Sequence, residues 1–110
     1  MRVFVCYTTR DGFVDEIKLR WILSALPNAC HAFADLLHND STYIQERIEL
    51  EIANCDLFLG LRSPAFFMSP WVQLELQVAK RFQKEIILWD VSQNAMPGNE
   101  SLHRLAEVNL

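Results

Sequence analysis

The sequence has no long apolar run. Nothing in it approaches the ~20 consecutive apolar residues of a membrane-crossing helix. The apolar stretch near the start, Val3 to Tyr7, is also too short for the core of a secretory leader. Glycine is scarce, with three in 110 residues. Neither a G-x-G-x-x-G nor a G-x-x-x-x-G-K-[ST] loop occurs, so the usual phosphate-cradling loops are absent. Basic charge is in short supply: 10 Lys and Arg against 14 Asp and Glu give a net charge of −4. A duplex nucleic-acid binder would need a phosphate-neutralising basic face. The three cysteines, Cys6, Cys30 and Cys55, are isolated. They show neither Cys-x-x-Cys nor Cys/His metal spacing. They read as reduced, buried, small hydrophobes of a cytoplasmic protein, with Cys6 and Cys30 expected on neighbouring strands. No repeat, low-complexity tract or linker marks a boundary, so one domain is expected over residues 1–110.

What the chain does have is apolar material, 51% of its residues, in a regular order. Val3–Tyr7, Ala29–Ala34, Leu57–Leu61 and Glu85–Asp90 are short apolar runs, the pattern of strands covered on both faces. Ala106–Leu110 is a candidate last strand. Between them lie amphipathic segments. Phe13–Leu26 carries two apolar stripes, one of Phe13, Ile17 and Trp21 and one of Leu19, Ile22, Leu23 and Leu26; Pro27-Asn28 stops it. Thr42-x-x-Gln45 resembles a capping box. Ile44, Ile48 and Ile52 then repeat every fourth residue to Asn54. A third helix runs from Ser69-Pro70, with proline suited to its first turn, to Phe82. Strands alternating with helices predict an α/β chain. The expected form is a three-layer, flavodoxin-like fold with a central parallel sheet of about five strands flanked by helices.

One residue stands out against this frame. On a wheel of roughly 100° per residue, Trp71, Val72, Leu74, Leu76, Val78, Ala79 and Phe82 form a continuous apolar arc, and Glu75 falls in its middle. A carboxylate there must be paired, must open onto a cleft, or must hold its proton more tightly. An internal arginine would satisfy it without any function. In doubly wound sheets, however, ligands sit outside the carboxyl ends of the strands. The first turns of this helix lie at that rim, which favours a cleft.

Fold alone does not choose a function. A phosphoacceptor receiver needs an acidic cluster after the first strand and an Asp after the third; Tyr7-Thr8-Thr9-Arg10 and Arg62-Ser63 stand there instead. Thr8, Thr9 and Gly12 are a thin version of a flavodoxin phosphate loop. Four segments, in order, resemble Toll/interleukin-receptor (TIR) domains. Val3-Phe-Val-Cys-Tyr-Thr-Thr-Arg-Asp11 is similar to the family's opening strand and loop. Ile44-x3-Ile48-x3-Ile52-x3-Asp56-Leu-Phe-Leu-Gly-Leu-Arg-Ser63 is similar to its second helix and third strand. Ser69-Pro-Trp-Val-Gln-Leu-Glu-Leu76 resembles its Ser-x-Trp-x3-Glu-Leu signature, and Ile86-Ile-Leu-Trp89 its fourth strand. Two family features are missing: the glycine of the loop after the second strand, absent from Leu36 to Tyr43, and the closing Phe-Trp box of animal receptors. The chain resembles a prokaryotic TIR-like protein more than a receptor tail.

That resemblance implies cleavage of the nicotinamide–ribose bond of NAD, a substrate here and not a resident cofactor. Glu75 matches the family's catalytic glutamate. Tyr7, Thr8, Thr9, Arg10 and Asp11 match the nucleotide-binding loop, with Arg10 either on pyrophosphate or solvated. Phe33 and Asp35 end the second strand and can line the pocket. Trp71 either stacks on adenine or packs under its helix, and Trp89 carries the same alternatives. No metal is implied, and His31, His38 and His103 receive no role. Hydrolysis, cyclisation and base exchange are all open outcomes. The implied partners are NAD, further copies of the chain through TIR–TIR contacts, and a separate effector that senses the product in antiviral defence; no nucleic acid and no membrane are implied. Two alternatives compete. One is a non-catalytic TIR interaction scaffold. The other is a nucleoside 2-deoxyribosyltransferase-like enzyme, which would approach its glutamate through an Asp-Gly-Thr-like segment where this chain has Ser69-Pro70-Trp71.

Overall fold

The computed structural model describes residues 1–27, 30–35 and 44–91. Strand β1 (Arg2–Cys6) leads to helix α1 (Glu16–Ala25), then β2 (His31–Ala34), α2 (Ile44–Asn54), β3 (Leu57–Arg62), a 3₁₀ turn (Phe66–Met68), α3 (Pro70–Arg81) and β4 (Glu85–Asp90). Among the described residues the sheet has four strands, in the order β2-β1-β3-β4. Every pairing is parallel. The capping box at Thr42 and the fifth strand expected at 106–110 lie outside the described residues.

The order of the strands dictates the layers. From β1 the chain steps one way to β2, then crosses back past β1 to β3 and on to β4. Right-handed crossovers therefore place α1 on one face and α2 and α3 on the other. Strand alternation supplies a core for each. Val3, Val5, Leu59, Leu61, Ile87 and Trp89 pack with Leu19 and Ile22 of α1. Phe4, Cys6, Phe58 and Leu88 pack with Ile48, Ile52, Val72, Leu76 and Ala79 of α2 and α3. Phe4 stacks between Phe33 and Phe58, with ring centroids 5.8 and 5.3 Å away. Burying each such ring is worth about 1.5–3 kcal/mol. Trp89 is part of the α1-side core, which settles it as a packing residue.

Three local expectations change. Helix α1 starts at Glu16, not Phe13. Gly12 takes φ +77°, its amide closing a turn onto the Thr9 carbonyl at 3.2 Å, and Asp15 then caps the helix by accepting from the Lys18 amide at 2.7 Å. Phe13, Ile17 and Trp21 are exposed; only the Leu19–Ile22 stripe reaches the sheet. Cys30 is half-buried and precedes β2, whereas Cys6 ends β1, so the two thiols sit at opposite ends of their strands.

Candidate functional site

A pocket of about 260 Å³ opens at the carboxyl rim of the sheet. Its floor and one wall come from Val5, Tyr7, Thr8 and Thr9 at the end of β1, with Asp35 at the end of β2. The opposite wall is Ser69, Trp71 and Glu75 from the start of α3. Local chemistry fixes that wall. Ser69 caps the helix, its Oγ accepting from the Val72 amide at 3.4 Å, and Pro70 occupies the first turn. The Gln73 side chain ties the helix back to the Phe67 carbonyl at 2.7 Å. Glu75 then sits one turn further in, on the side that meets the sheet.

Glu75 is 5% exposed. Among the described residues no guanidinium or ammonium group pairs with it. Burial raises its pKa from 4.5 to about 8; a hydrogen bond from the Cys6 thiol works against that shift, and the negative charge of Asp35 adds to it. Cys6 is fully buried beneath it, and its thiol is pushed well up by burial and by the facing carboxylate. The pocket therefore holds a proton-retaining acid group in a poorly solvated place, beside a second carboxylate. Such a site favours a cationic guest, which restores the charge on Glu75 and gains from the low local dielectric.

The sequence-derived candidates separate into two groups. Tyr7, Thr8, Thr9, Asp35, Trp71 and Glu75 meet in the pocket. Trp71, placed in the apolar arc by the wheel, is 41% exposed at the rim. Its ring borders the pocket because the helix's first turn projects past the sheet. Arg10 is exposed outside the pocket, its amide donating to Thr8 Oγ1 at 3.3 Å. Asp11 turns toward the loop after β3 and accepts from the Ala65 amide at 2.7 Å. Burial opposes its ionisation, but that amide, the nearby Ser63 hydroxyl and the Phe13 amide outweigh it and hold the carboxyl below its usual value. Asp11 thus joins the loop that lines the pocket to the loop that leads into α3. Phe33 is buried on the α2 side, 5.3 Å beneath the Arg47 guanidinium. It lines a different hollow with Arg2, His31 and Glu51.

Sequence reasoning left out Ser69, Val5 and Cys6. The cap residue of a rim helix is a pocket candidate by position, and that signal was available for Ser69. Cys6 needed strand alternation: Phe4 and Cys6 share the face that meets α3, but a run apolar on both faces hides which side each residue takes. Among the described residues no group of three or more His, Cys, Asp or Glu side chains is placed to hold a metal ion.

Comparison with known proteins agrees with the fold. A family profile described as "TIR domain" matches residues 3–108. No curated protein matches the chain. Among solved structures, the TIR domain of the Toll-related receptor TRR-2 from Hydra magnipapillata superposes with a TM-score of 0.55 at 16% identity, over 93% of this chain and 88% of that one.

Proposed function

This chain belongs to the TIR-domain family, and from that premise we propose that it is an NAD-consuming member whose Glu75 acts at the reacting sugar. The observation that carries the reading is the position of Glu75: buried in an apolar helix face, yet lining a pocket at the strand ends. Nicotinamide in NAD is a cationic leaving group. As its bond to C1 of the ribose breaks, the electron pair goes to the ring nitrogen and the sugar becomes oxocarbenium-like. A carboxylate beside that carbon stabilises the growing positive charge, as glycosidase carboxylates do. Asp35 adds negative potential from the facing wall. The Thr8 and Thr9 segment offers hydroxyls to the sugar and phosphates, and the exposed Trp71 face is available for stacking on a base.

Water, a nitrogen of the adenine in the same molecule, or another base can capture the sugar cation. Hydrolysis, cyclisation and base exchange then share one first step. By family likeness the protein acts as an assembly of copies and supplies a nucleotide signal to a separate effector in antiviral defence. The test is incubation of concentrated protein with NAD, with and without a crowding agent, followed by mass analysis. Free nicotinamide is expected from the wild type, with a loss of at least 100-fold in Glu75→Gln, the scale seen when one preorganised electrostatic group is removed. Full activity in Glu75→Gln would end the reading.

A second reading has its own support. Ile17 and Trp21 on α1, and Phe13 in the turn before it, are exposed large apolar side chains, the kind of surface an interaction module uses. A pure scaffold predicts association without any release of nicotinamide.

A further inference from the structure

We infer that a second hollow, at the ends of β3 and β4, is a subsite for the adenosine monophosphate half of NAD, filled while the nicotinamide ribose lies against Glu75. The inference rests on the reading of NAD given above and deepens it. This hollow, about 300 Å³, is lined by Arg62, Ser63, Pro64, Phe67 and Asp90. Arg62 and Asp90 are register partners in the last row of the β3–β4 ladder. Side chains alternate along a strand. Phe58 and Leu88 pack on the α2 and α3 side, so Arg62, four residues on, and Asp90, two residues on, point to that side as well. The pocket at Glu75 lies against α3 over the ends of β1 and β2. With the strands in the order β2-β1-β3-β4, the two hollows share one rim and one side of the sheet, two strand spacings apart, or ~10 Å. A single turn of chain divides them: Phe67 lines one and Ser69 the other. An extended dinucleotide reaches from one to the other.

The lining suits what that half of the molecule presents. The Arg62 side chain is exposed, and its contact with Asp90, Nη2 to Oδ2 at 3.5 Å, is long. Most of its five donors are therefore open to phosphate oxygens. Asp90 stands beside it as an acceptor for sugar hydroxyls, the part an acidic residue plays toward ribose in dinucleotide folds. The Phe67 ring packs edge-on with Phe66, centroids 5.1 Å apart and planes at 82°. It is 44% exposed, which leaves ring surface for a base to stack on. A bare anion gains little in this hollow, because Asp90 repels it. An apolar guest leaves both charged groups unused. A nucleotide engages all three side chains. The segment that carries them is also tied down: the Ala65 amide donates to Asp11 at 2.7 Å, the Phe66 amide to the Ser63 carbonyl at 3.0 Å, and the Val91 amide to the Arg62 carbonyl at 2.9 Å.

The experiment titrates ¹⁵N-labelled protein with adenosine monophosphate, nicotinamide mononucleotide and inorganic phosphate, each to millimolar concentration, and follows the amide resonances. Wild type is compared with Arg62→Ala and Phe67→Leu, and KM for NAD is measured in parallel. Adenosine monophosphate is expected to shift the amides of Arg62, Phe67 and Asp90, and nicotinamide mononucleotide those of Thr8, Thr9 and Trp71. Arg62→Ala should weaken adenosine monophosphate about tenfold, through the lost charge-assisted bonds. Phe67→Leu, which keeps apolar bulk but loses the flat ring, should weaken it about fivefold. Neither should change the affinity for nicotinamide mononucleotide, and KM for NAD should rise about tenfold in Arg62→Ala. The Arg62–Asp90 pair is exposed and adds little to stability, so Arg62→Ala folds; if one variant does not, the other decides. The inference is overturned if adenosine monophosphate binds nowhere or shifts only the Thr8–Trp71 pocket, or if its affinity is the same in the variants. It is also overturned if inorganic phosphate reproduces the same shifts, which would make the hollow a plain anion site. The titration needs no turnover, so the two failures are distinguishable. Binding in the second hollow without nicotinamide release from NAD sinks the enzymatic reading and leaves a nucleotide site. Release with an unaltered KM in Arg62→Ala sinks only the subsite.

Discussion

A carboxyl group wedged between a helix and a sheet trades stability against charge, and Glu75 does so in a pH range that can be measured. Its pKa is 4.5 as an ordinary side chain and about 8 in the fold. The sign follows from proton counting. Below the lower value both folded and unfolded chains hold the proton, and Glu75 has no effect on pH dependence. Between the two values the unfolded chain has released its proton and the folded chain has not. Stability therefore falls as pH rises through that window and levels off above about 8. Glu75→Gln removes this penalty. The variant should melt higher than wild type at mildly alkaline pH, by about 4–8 °C for each kcal/mol recovered. The difference should shrink toward zero in acid, and scanning calorimetry across pH checks it. A gap that is constant with pH would mean that Glu75 ionises freely in the fold. The same proton governs the proposed chemistry in the opposite direction, because only the carboxylate stabilises an oxocarbenium ion. kcat/KM for NAD should rise with pH to a plateau, with a midpoint near the free-protein value of about 8. The midpoint in kcat should lie lower, since bound NAD brings a positive ring next to Glu75 and favours its ionised form. Equal midpoints in both parameters would place the cationic ring away from Glu75.

At the scale of elements, the strands were legible because each is a short apolar run, and a parallel sheet buried on both faces leaves that signature. Helix α3 was legible from its arc and from Ser69-Pro70. The start of α1 was not, since Phe13 fits the helical period while the turn at Gly12 and the Asp15 cap end the helix before reaching it. The wheel also overstated burial at the ends of α3: Trp71 and Phe82 belong to the apolar arc, but both are exposed, because the helix's terminal turns overhang the sheet. That overhang is what puts Trp71 beside the pocket. Residue type at strand ends found Tyr7, Thr8, Thr9 and Asp35. It did not separate them from Asp11 or Phe33, whose side chains turn to the β3 loop and the α2 side. One contact lay entirely outside sequence reasoning. A Cβ on Gly60 of β3 would come within 2.6 Å of a Leu88 methyl and 2.9 Å of the Phe66 ring. Leu88 can swing away. The Phe66 ring is fully buried in the turn that delivers Ser69 and α3, so it must move and take that turn with it. Gly60→Ala should destabilise the fold by about 1–3 kcal/mol, an ordinary overpacking cost. It should also raise KM for NAD more than stability alone explains, since the pocket wall is displaced. Chemical denaturation alongside steady-state kinetics tests both, and a stable variant with wild-type KM would show that the turn has slack.

For the molecule as a whole, the size of the pocket matters. At about 260 Å³ it falls below the ~300–1,000 Å³ typical of sites that enclose a drug-sized ligand, and a dinucleotide is larger than most such ligands. A bound NAD would seat its nicotinamide ribose near Glu75 and leave the rest over the rim. Trp71 is exposed at that rim, and Phe67 and Met68 are 44% and 72% exposed on the turn that leads into its helix. In the proposed assembly a second copy covers this surface and the protruding part of NAD together. Turnover per molecule should then depend on protein concentration. While most of the protein is monomeric, specific activity should rise roughly in proportion to concentration, because the active species needs two copies, and it should level off once association is complete. A crowding agent should move the rise to lower concentration. Met68→Asp places a charge on the covering surface without touching Glu75 or the core. It should delay the rise at least tenfold in concentration while leaving the melting temperature of the dilute protein unchanged. Activity that is flat with concentration, in wild type and Met68→Asp alike, would mean that one copy completes the site by itself and that the apolar rim serves some other contact.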